Sequence, residues 1–254
     1  MRQLIGVRWP GVFLRAIVLW AALGGNGVAR AQQPFVLRTG TEVALGGVGL
    51  TLFGFGEWRA HQLRDAPPPV LDLGRIPAID RVATRLWHPP AHQASNVLFG
   101  VALGASAMVA VLADGGVQPA VPLVILAESG LLCAGLTNTV KELVRRPRPY
   151  LYNPDAPPVP YPGNEDQVSF WSGHTANTAA LTFACANMVQ RSDASPGLKT
   201  ATWIGAATLP AAMGYLRVRA GKHFPTDVLT GYAVGALVGW AVPYFHRAAV
   251  KGGN

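Results

Sequence analysis

Six apolar stretches, separated by polar or proline- and glycine-bearing sequence, dominate the chain: residues 43–55, 97–113, 121–140, 175–189, 201–216 and 228–245. None alternates with period two and most are longer than a strand, so the pattern predicts helices. Several fall short of the roughly 20 residues that cross hydrocarbon comfortably, and their polar flanks supply the extra turns. Asp114-Gly115-Gly116, between the second and third stretches, predicts a tight turn and a helical hairpin. Gly231, Gly235 and Gly239 recur every four residues and form a small-residue stripe suited to close helix contact in lipid. The expected fold class is all-α, an integral membrane bundle of about six transmembrane helices.

Polar sequence interrupts this pattern twice. Residues 57–94 hold Pro67-Pro68-Pro69 and then, over 76–87, an apolar spacing that suits a helix lying on the membrane surface. Residues 147–169 are rich in Pro, Tyr and Asn and lack periodicity, which predicts a loop. At the N-terminus, Arg2, Arg8 and Arg15 precede a short apolar core at 16–23, and Ala29-Arg30-Ala31 offers a small-x-small cleavage site. These features predict a signal peptide over residues 1–31 and one membrane-embedded domain over 32–254, with an uncleaved anchor helix as the alternative.

Half of the residues are apolar and 13% are charged, against the quarter usual in soluble domains, which strengthens the membrane reading. A formal charge of +8 suits nucleic acid, anionic lipid or a phosphate-bearing ligand. A nucleic-acid binder would set its basic face among base-stacking aromatics on a soluble fold. Here Arg145, Arg146, Arg148, Arg217, Arg219 and Lys222 cluster beside apolar runs, so the expected partners are the bilayer and an anionic ligand, with no nucleic acid. Cys133 and Cys185 lie inside apolar runs and read as packing residues rather than disulfide or zinc ligands.

The chemistry gathers in residues 141–149, 169–174 and 217–227, each at the end of an apolar run. In a bundle of alternating helices all three reach the same membrane face, where the active site is expected. Lys141, Arg148 and Arg217 supply fixed positive charge for a phosphate dianion. Ser172 and Gly173 open a helix, so free main-chain N–H groups and the helix dipole face the same anion. His223 and Asp227 are one helical turn apart, close enough for the carboxylate to fix the imidazole tautomer and leave the other nitrogen to attack phosphorus. His174, on the facing element, is placed to protonate a leaving alkoxide and then activate water. A nucleophile, an orienting partner, an opposing acid and an anion cradle are the parts of covalent phosphoryl transfer. Arg145, Arg146, Arg219 and Lys222 read as a charged flank at the interface; His61, His88, His92 and His246 receive no role.

Together the three stretches resemble the signature of the type 2 phosphatidic acid phosphatase superfamily: Lys, six residues, Arg-Pro; then Pro-Ser-Gly-His; then Ser-Arg, five residues, His, three residues, Asp. Lys141, Arg148 and Pro149 match the first part, Ser172, Gly173 and His174 the second, and Arg217, His223 and Asp227 the third. Trp171 stands where proline is usual and Leu216 where serine is usual, the latter leaving the phosphate one hydroxyl donor fewer. The resemblance implies a phosphohydrolase needing neither metal nor cofactor, with His223 as nucleophile, Asp227 as its orienter and His174 as acid and base. Lys141, Arg148, Ser172, Gly173 and Arg217 would hold the phosphate.

The expected substrate is a phosphorylated lipid: phosphatidic acid, phosphatidylglycerol phosphate, an isoprenyl diphosphate or lipid A. Two alternatives belong to other classes. One is a soluble periplasmic acid phosphatase or vanadate-dependent haloperoxidase of the same superfamily, against which the repeated apolar segments argue. The other is a catalytically silent membrane protein that binds phospholipid, against which the intact histidine pair argues. The expected location is the bacterial inner membrane. Six crossings after a cleaved leader would turn the site to the cytoplasm, whereas the resemblance implies a periplasmic site, and the latter is the expectation carried forward.

Overall fold

Each predicted apolar stretch lies within a helix that extends beyond it in the computed structural model, which describes residues 34–64, 66–67, 69–159 and 163–248. The predicted leader, residues 1–31, lies outside the described residues. The helices are α1 (Thr39–Leu63), α2 (Pro89–Ala113), α3 (Ala120–Val144), α4 (Gly173–Gln190), α5 (Pro196–Arg219) and α6 (Pro225–Phe245). Their starts follow local chemistry. Proline occupies the first turn of α2, α5 and α6, where its missing N–H leaves no bond unmade. His88 Nδ1 accepts from Ala91 N in α2, and the Ser172 and Ser195 hydroxyls cap α4 and α5.

The glycine turn expected between α2 and α3 forms, with Gly115 and Gly116 at φ 68° and 67°, a conformation that glycine adopts without strain. The two helices nevertheless pack less on each other than on α4. Residues 76–87 do not form the expected surface helix. They fold into a turn and a short 3-10 helix, Arg81–Arg85, because Arg81 Nε donates to Ile76 O and both oxygens of Asp80 bond to Thr226. The predicted loop at 147–169 carries two 3-10 turns, Pro149–Tyr152 and Asn164–Gln167.

Helix α4 is the hub: most of its residues are buried, and α2, α3, α5 and α6 all pack on it, while α1 packs on α3. Cys133 and Cys185 are free and buried. The outside is apolar, with Val97, Val101, Met108 and Leu112 of α2 and Leu229, Leu237 and Trp240 of α6 exposed, while Ser129, Thr178 and Asp227 are buried. That inversion fits a lipid surround, in which exposed apolar side chains cost nothing. Among the described residues three spans are long and apolar enough to cross a membrane, Pro89–Ala113, Ala120–Tyr152 and Pro225–Phe245. Among the described residues the only β-type pairing is the bridge Phe35–Arg247, which ties the approach to α1 to the end of α6. Beside it His246 Nε2 faces Glu128 Oε2 at 3.0 Å and Glu42 Oε1 at 3.3 Å, joining α1, α3 and α6.

Helices α4 and α6 approach closely enough to touch main chain to main chain. A Cβ added at Gly231 would lie 2.7 Å from Ser172 O, at Gly235 2.0 Å from Ala176 O, and at Gly239 2.3 Å from Ala180 O. The glycine stripe thus does what its spacing implied. Gly235→Ala is expected to cost the detergent-solubilised protein at least the ~1–3 kcal/mol typical of overpacking, read as a lowered Tm. Gly46→Ala, where an added Cβ meets nothing within 4 Å, is expected to leave Tm unchanged.

Candidate active site

The starts of α4 and α6 lie side by side at one end of the bundle, Ser172 N donating to Asp227 O at 3.0 Å. Between α5 and α6 the chain turns at Gly221 (φ 70°), where a Cβ would stand 2.3 Å from Leu86 O, so only glycine admits that close passage. The turn delivers His223, 1% exposed, into the end of the bundle. Its Nδ1 lies 2.7 Å from Ser169 O. A carbonyl only accepts, so Nδ1 carries the proton and Nε2 keeps its lone pair. Nε2 lies 3.5 Å from Arg148 Nη1, facing the cationic cluster. Burial, and after it the charges of Arg217, Arg148 and Lys141, holds the His223 imidazole well below its ordinary protonation range, so it is neutral at pH 7.

The contact expected between Asp227 and the imidazole is longer than a hydrogen bond, 3.7 Å from Oδ2 to Nδ1. Asp227 lies in the first turn of α6 and caps its own helix: Oδ2 accepts from Phe224 N at 2.8 Å and from Ser169 Oγ at 2.5 Å, and Oδ1 from Arg146 at 2.6 Å. Those bonds draw the carboxylate away from the ring. The tautomer is set instead by the Ser169 carbonyl, which the motif does not single out.

The cations converge around His223. Arg148, 6% exposed, is fixed by Glu165 O and Lys222 O, at 2.5 and 3.1 Å. Arg217, 4% exposed, donates to His92 Nδ1 at 2.8 Å and to Ser95 Oγ at 3.2 Å, and its buried Nε has no partner among the described residues. A Cβ at Gly173 would lie 3.2 Å from Thr137 Cγ2 and 3.8 Å from Lys141 Nζ, which puts the start of α4 beside that ammonium. Ser172 is fully buried and its hydroxyl caps α4 at Thr175, so it serves the helix start as well as any anion above it. Trp171, at the end of the cis peptide Phe170–Trp171, is buried and donates from Nε1 to Thr137 Oγ1 at 2.8 Å. Leu216 is half-buried on α5 beside Arg217.

Helix α2 supplies residues that the motif reading passed over. His174 Nε2 lies 3.0 Å from Asn96 Oδ1 and the ring packs against Phe99, while His92 and Ser95 hold Arg217. Since arginine only donates, His92 Nδ1 accepts and its proton sits on Nε2. Residues 92, 95, 96 and 99 share one helical face, a polar stripe at i, i+3, i+4 that the sequence does display. Two residues read as interfacial flank also belong to the site. Arg146 bonds Asp227, and Lys222 Nζ stands 4.4 Å from the Tyr150 ring and 5.6 Å from the Trp87 ring. Arg145, bonded to Asn164, and Arg219, bonded to Tyr215, stay outside it.

Residues 122–251, just over half of the chain, match the family model described as the PAP2 superfamily. Among solved structures, the chain is similar to a transmembrane PAP2-type phosphatidylglycerolphosphate phosphatase from Bacillus subtilis. The identity is 22% and the TM-score 0.51, over 78% of this chain and 94% of that one. Comparison with curated proteins gives no match.

Burial, followed by the charges of Arg148 and Arg217, brings the Lys222 ammonium down to about 8. It is cationic below that pH and loses its charge above it. Sulfate keeps the same charge across this range. Its affinity, followed by calorimetry in detergent, is expected to be flat below pH 8 and to fall above it. Lys222→Met is expected to weaken sulfate binding at pH 7 and to shallow that fall.

Proposed function

The chain belongs to the PAP2 superfamily, and on that premise we propose that it is an integral membrane lipid phosphatase working through a phosphohistidine at His223. The observation that carries this reading is the Arg217 Nε, a buried donor without a partner among the described residues, in a cluster that also gathers Arg148, Lys141 and the Nε2 of His223. Buried donors are almost always satisfied, and a phosphate oxygen would satisfy this one. In this reading Lys141, Arg148, Arg217, the Ser172 hydroxyl and the Gly173 N–H hold the phosphoryl group, the Ser172 N–H being taken by Asp227 O.

The Nε2 lone pair attacks phosphorus as the bond to the lipid oxygen breaks. Nδ1 keeps its proton on the Ser169 carbonyl, so the phosphorylated ring is cationic, and the Asp227 carboxylate at 3.7 Å stabilises it. His174, held in its cationic form by the negative charge of the bound phosphate, gives a proton to the leaving oxygen, which departs as the lipid alcohol. It then takes a proton from the water that attacks the phosphohistidine, releasing inorganic phosphate and restoring neutral His223. Every phosphate contact is a protein donor, so activity in this reading needs no divalent ion. A phosphorylated lipid is the substrate, phosphatidylglycerol phosphate among the candidates alongside phosphatidic acid, isoprenyl diphosphates and lipid A. The apolar exterior supports a membrane-embedded over a soluble phosphatase. We place the protein in the bacterial inner membrane with its site toward the periplasm.

The test is phosphate release from a defined lipid panel by the purified protein. His223→Ala and His174→Ala are each expected to lower kcat by at least a thousandfold while leaving Tm near wild type, and wild-type turnover is expected to persist in EDTA and to be inhibited by vanadate. Near wild-type turnover in His223→Ala overturns the nucleophile assignment. Loss in EDTA that magnesium or manganese restores overturns the metal-independent one.

A further inference from the structure

We propose that Arg146 and Asp80 are positioning residues for His223, which makes the loop between α1 and α2 a working part of the active site; this rests on His223 being the nucleophile. Arg146 forks between two fully buried carboxylates, Nη1 to Asp227 Oδ1 at 2.6 Å and Nη2 to Asp80 Oδ2 at 2.8 Å. Nη1 also reaches Thr226 Oγ1 at 2.9 Å, and the guanidinium lies 3.9 Å from the centre of the Phe224 ring. Asp80 closes the circuit by accepting from Thr226 N at 3.0 Å and Thr226 Oγ1 at 2.7 Å. The main chain of Arg146 takes part as well: its carbonyl accepts from Ser169 N at 2.9 Å. Ser169 is the residue whose carbonyl holds His223 Nδ1 and whose hydroxyl holds Asp227. One arginine therefore fixes both neighbours of the nucleophile, the carbonyl through its backbone and the carboxylate through its side chain.

The charges give this arrangement a function beyond packing. Two buried carboxylates share one guanidinium, so the group keeps a net negative charge on the side of the imidazole away from the phosphate cradle. That charge acts most strongly when His223 becomes cationic on phosphorylation, and a partner felt mainly on the way to the intermediate raises kcat rather than substrate affinity. Asp80 sets how much of Arg146 is left to neutralise Asp227. With asparagine there, Arg146 would compensate Asp227 more fully and the field at the ring would weaken. Lysine cannot replace the fork, since it has no planar pair of donors to span two carboxylates.

The experiment uses the full chain in detergent with dioctanoyl phosphatidic acid, measuring steady-state kcat and KM, Tm, and the rate of acid-labile phosphoenzyme formation in a rapid quench. Arg146→Ala, which releases Asp227 and leaves two buried carboxylates without their cation, so that they take up protons and lose their charge, is expected to lower kcat and the phosphorylation rate at least a hundredfold with KM within threefold. Added guanidinium ion should restore at least tenfold of that loss, which a folding defect would not show. Arg146→Lys should recover less than a tenth of wild-type kcat. Asp80→Asn, a near-isosteric change that keeps one acceptor for Thr226, should lower kcat about tenfold without moving Tm by more than a few degrees. Wild-type phosphorylation rates in Arg146→Ala and Asp80→Asn would overturn the proposal, as would a loss in both that tracks Tm and ignores guanidinium. Absence of any phosphoenzyme in the wild-type protein would instead overturn the nucleophile reading on which it rests.

Discussion

The direct contact of α4 and α6 is the constraint from which the candidate site follows. Because Gly231, Gly235 and Gly239 let the two backbones meet, the helices start side by side, and Ser172 N reaches Asp227 O at 3.0 Å. Their N-terminal dipoles then add at one place, where Arg148 and Arg217 also arrive. So much positive potential in a poorly solvated region is unfavourable for the empty protein. The packing of α4 against its neighbours keeps these groups together, and the buried carboxylates on the far side of His223 offset part of the field.

Much of this was legible in the sequence. The six apolar stretches marked the helices because length and period are strong signals, and the glycine spacing on α6 pointed to its close contact. Residues 76–87 misled, since their apolar spacing suits an amphipathic helix. What decided their shape was Asp80 bonding Thr226, a residue 146 positions away that no local pattern reveals. The same limit explains Asp227. Four-residue spacing says that a carboxylate can reach an imidazole, but Phe224 N and Arg146 compete for it and win on distance.

The residues that motif reasoning passed over are those whose meaning is wholly tertiary. Arg146, alone in sequence, is indistinguishable from Arg145, its neighbour; one reaches Asp227 and Asp80 and the other Glu142 and Asn164, on either side of the left-handed turn at Arg145 that ends α3. His92 has no distinguishing motif around it, yet with Ser95 and Asn96 it forms one face of α2, and three polar residues at that spacing in a largely apolar helix are a legible sign of an interior polar site. Ser169 acts largely through its carbonyl, a group every residue owns, so nothing in its identity announces that part of its role.

The bridge between Phe35 and Arg247, with Ala248 N donating to Pro34 O at 3.0 Å, holds the entry to α1 and the exit from α6 at the same end of the bundle. His223 stands at the other end. A reporter enzyme or fluorescent protein attached just beyond Ala248 would therefore sit across the bilayer from the chemistry. A fusion that lights up only in the cytoplasm would read out an outward-facing phosphatase, and one active only outside would mark a phosphatase that draws its lipid from the inner leaflet.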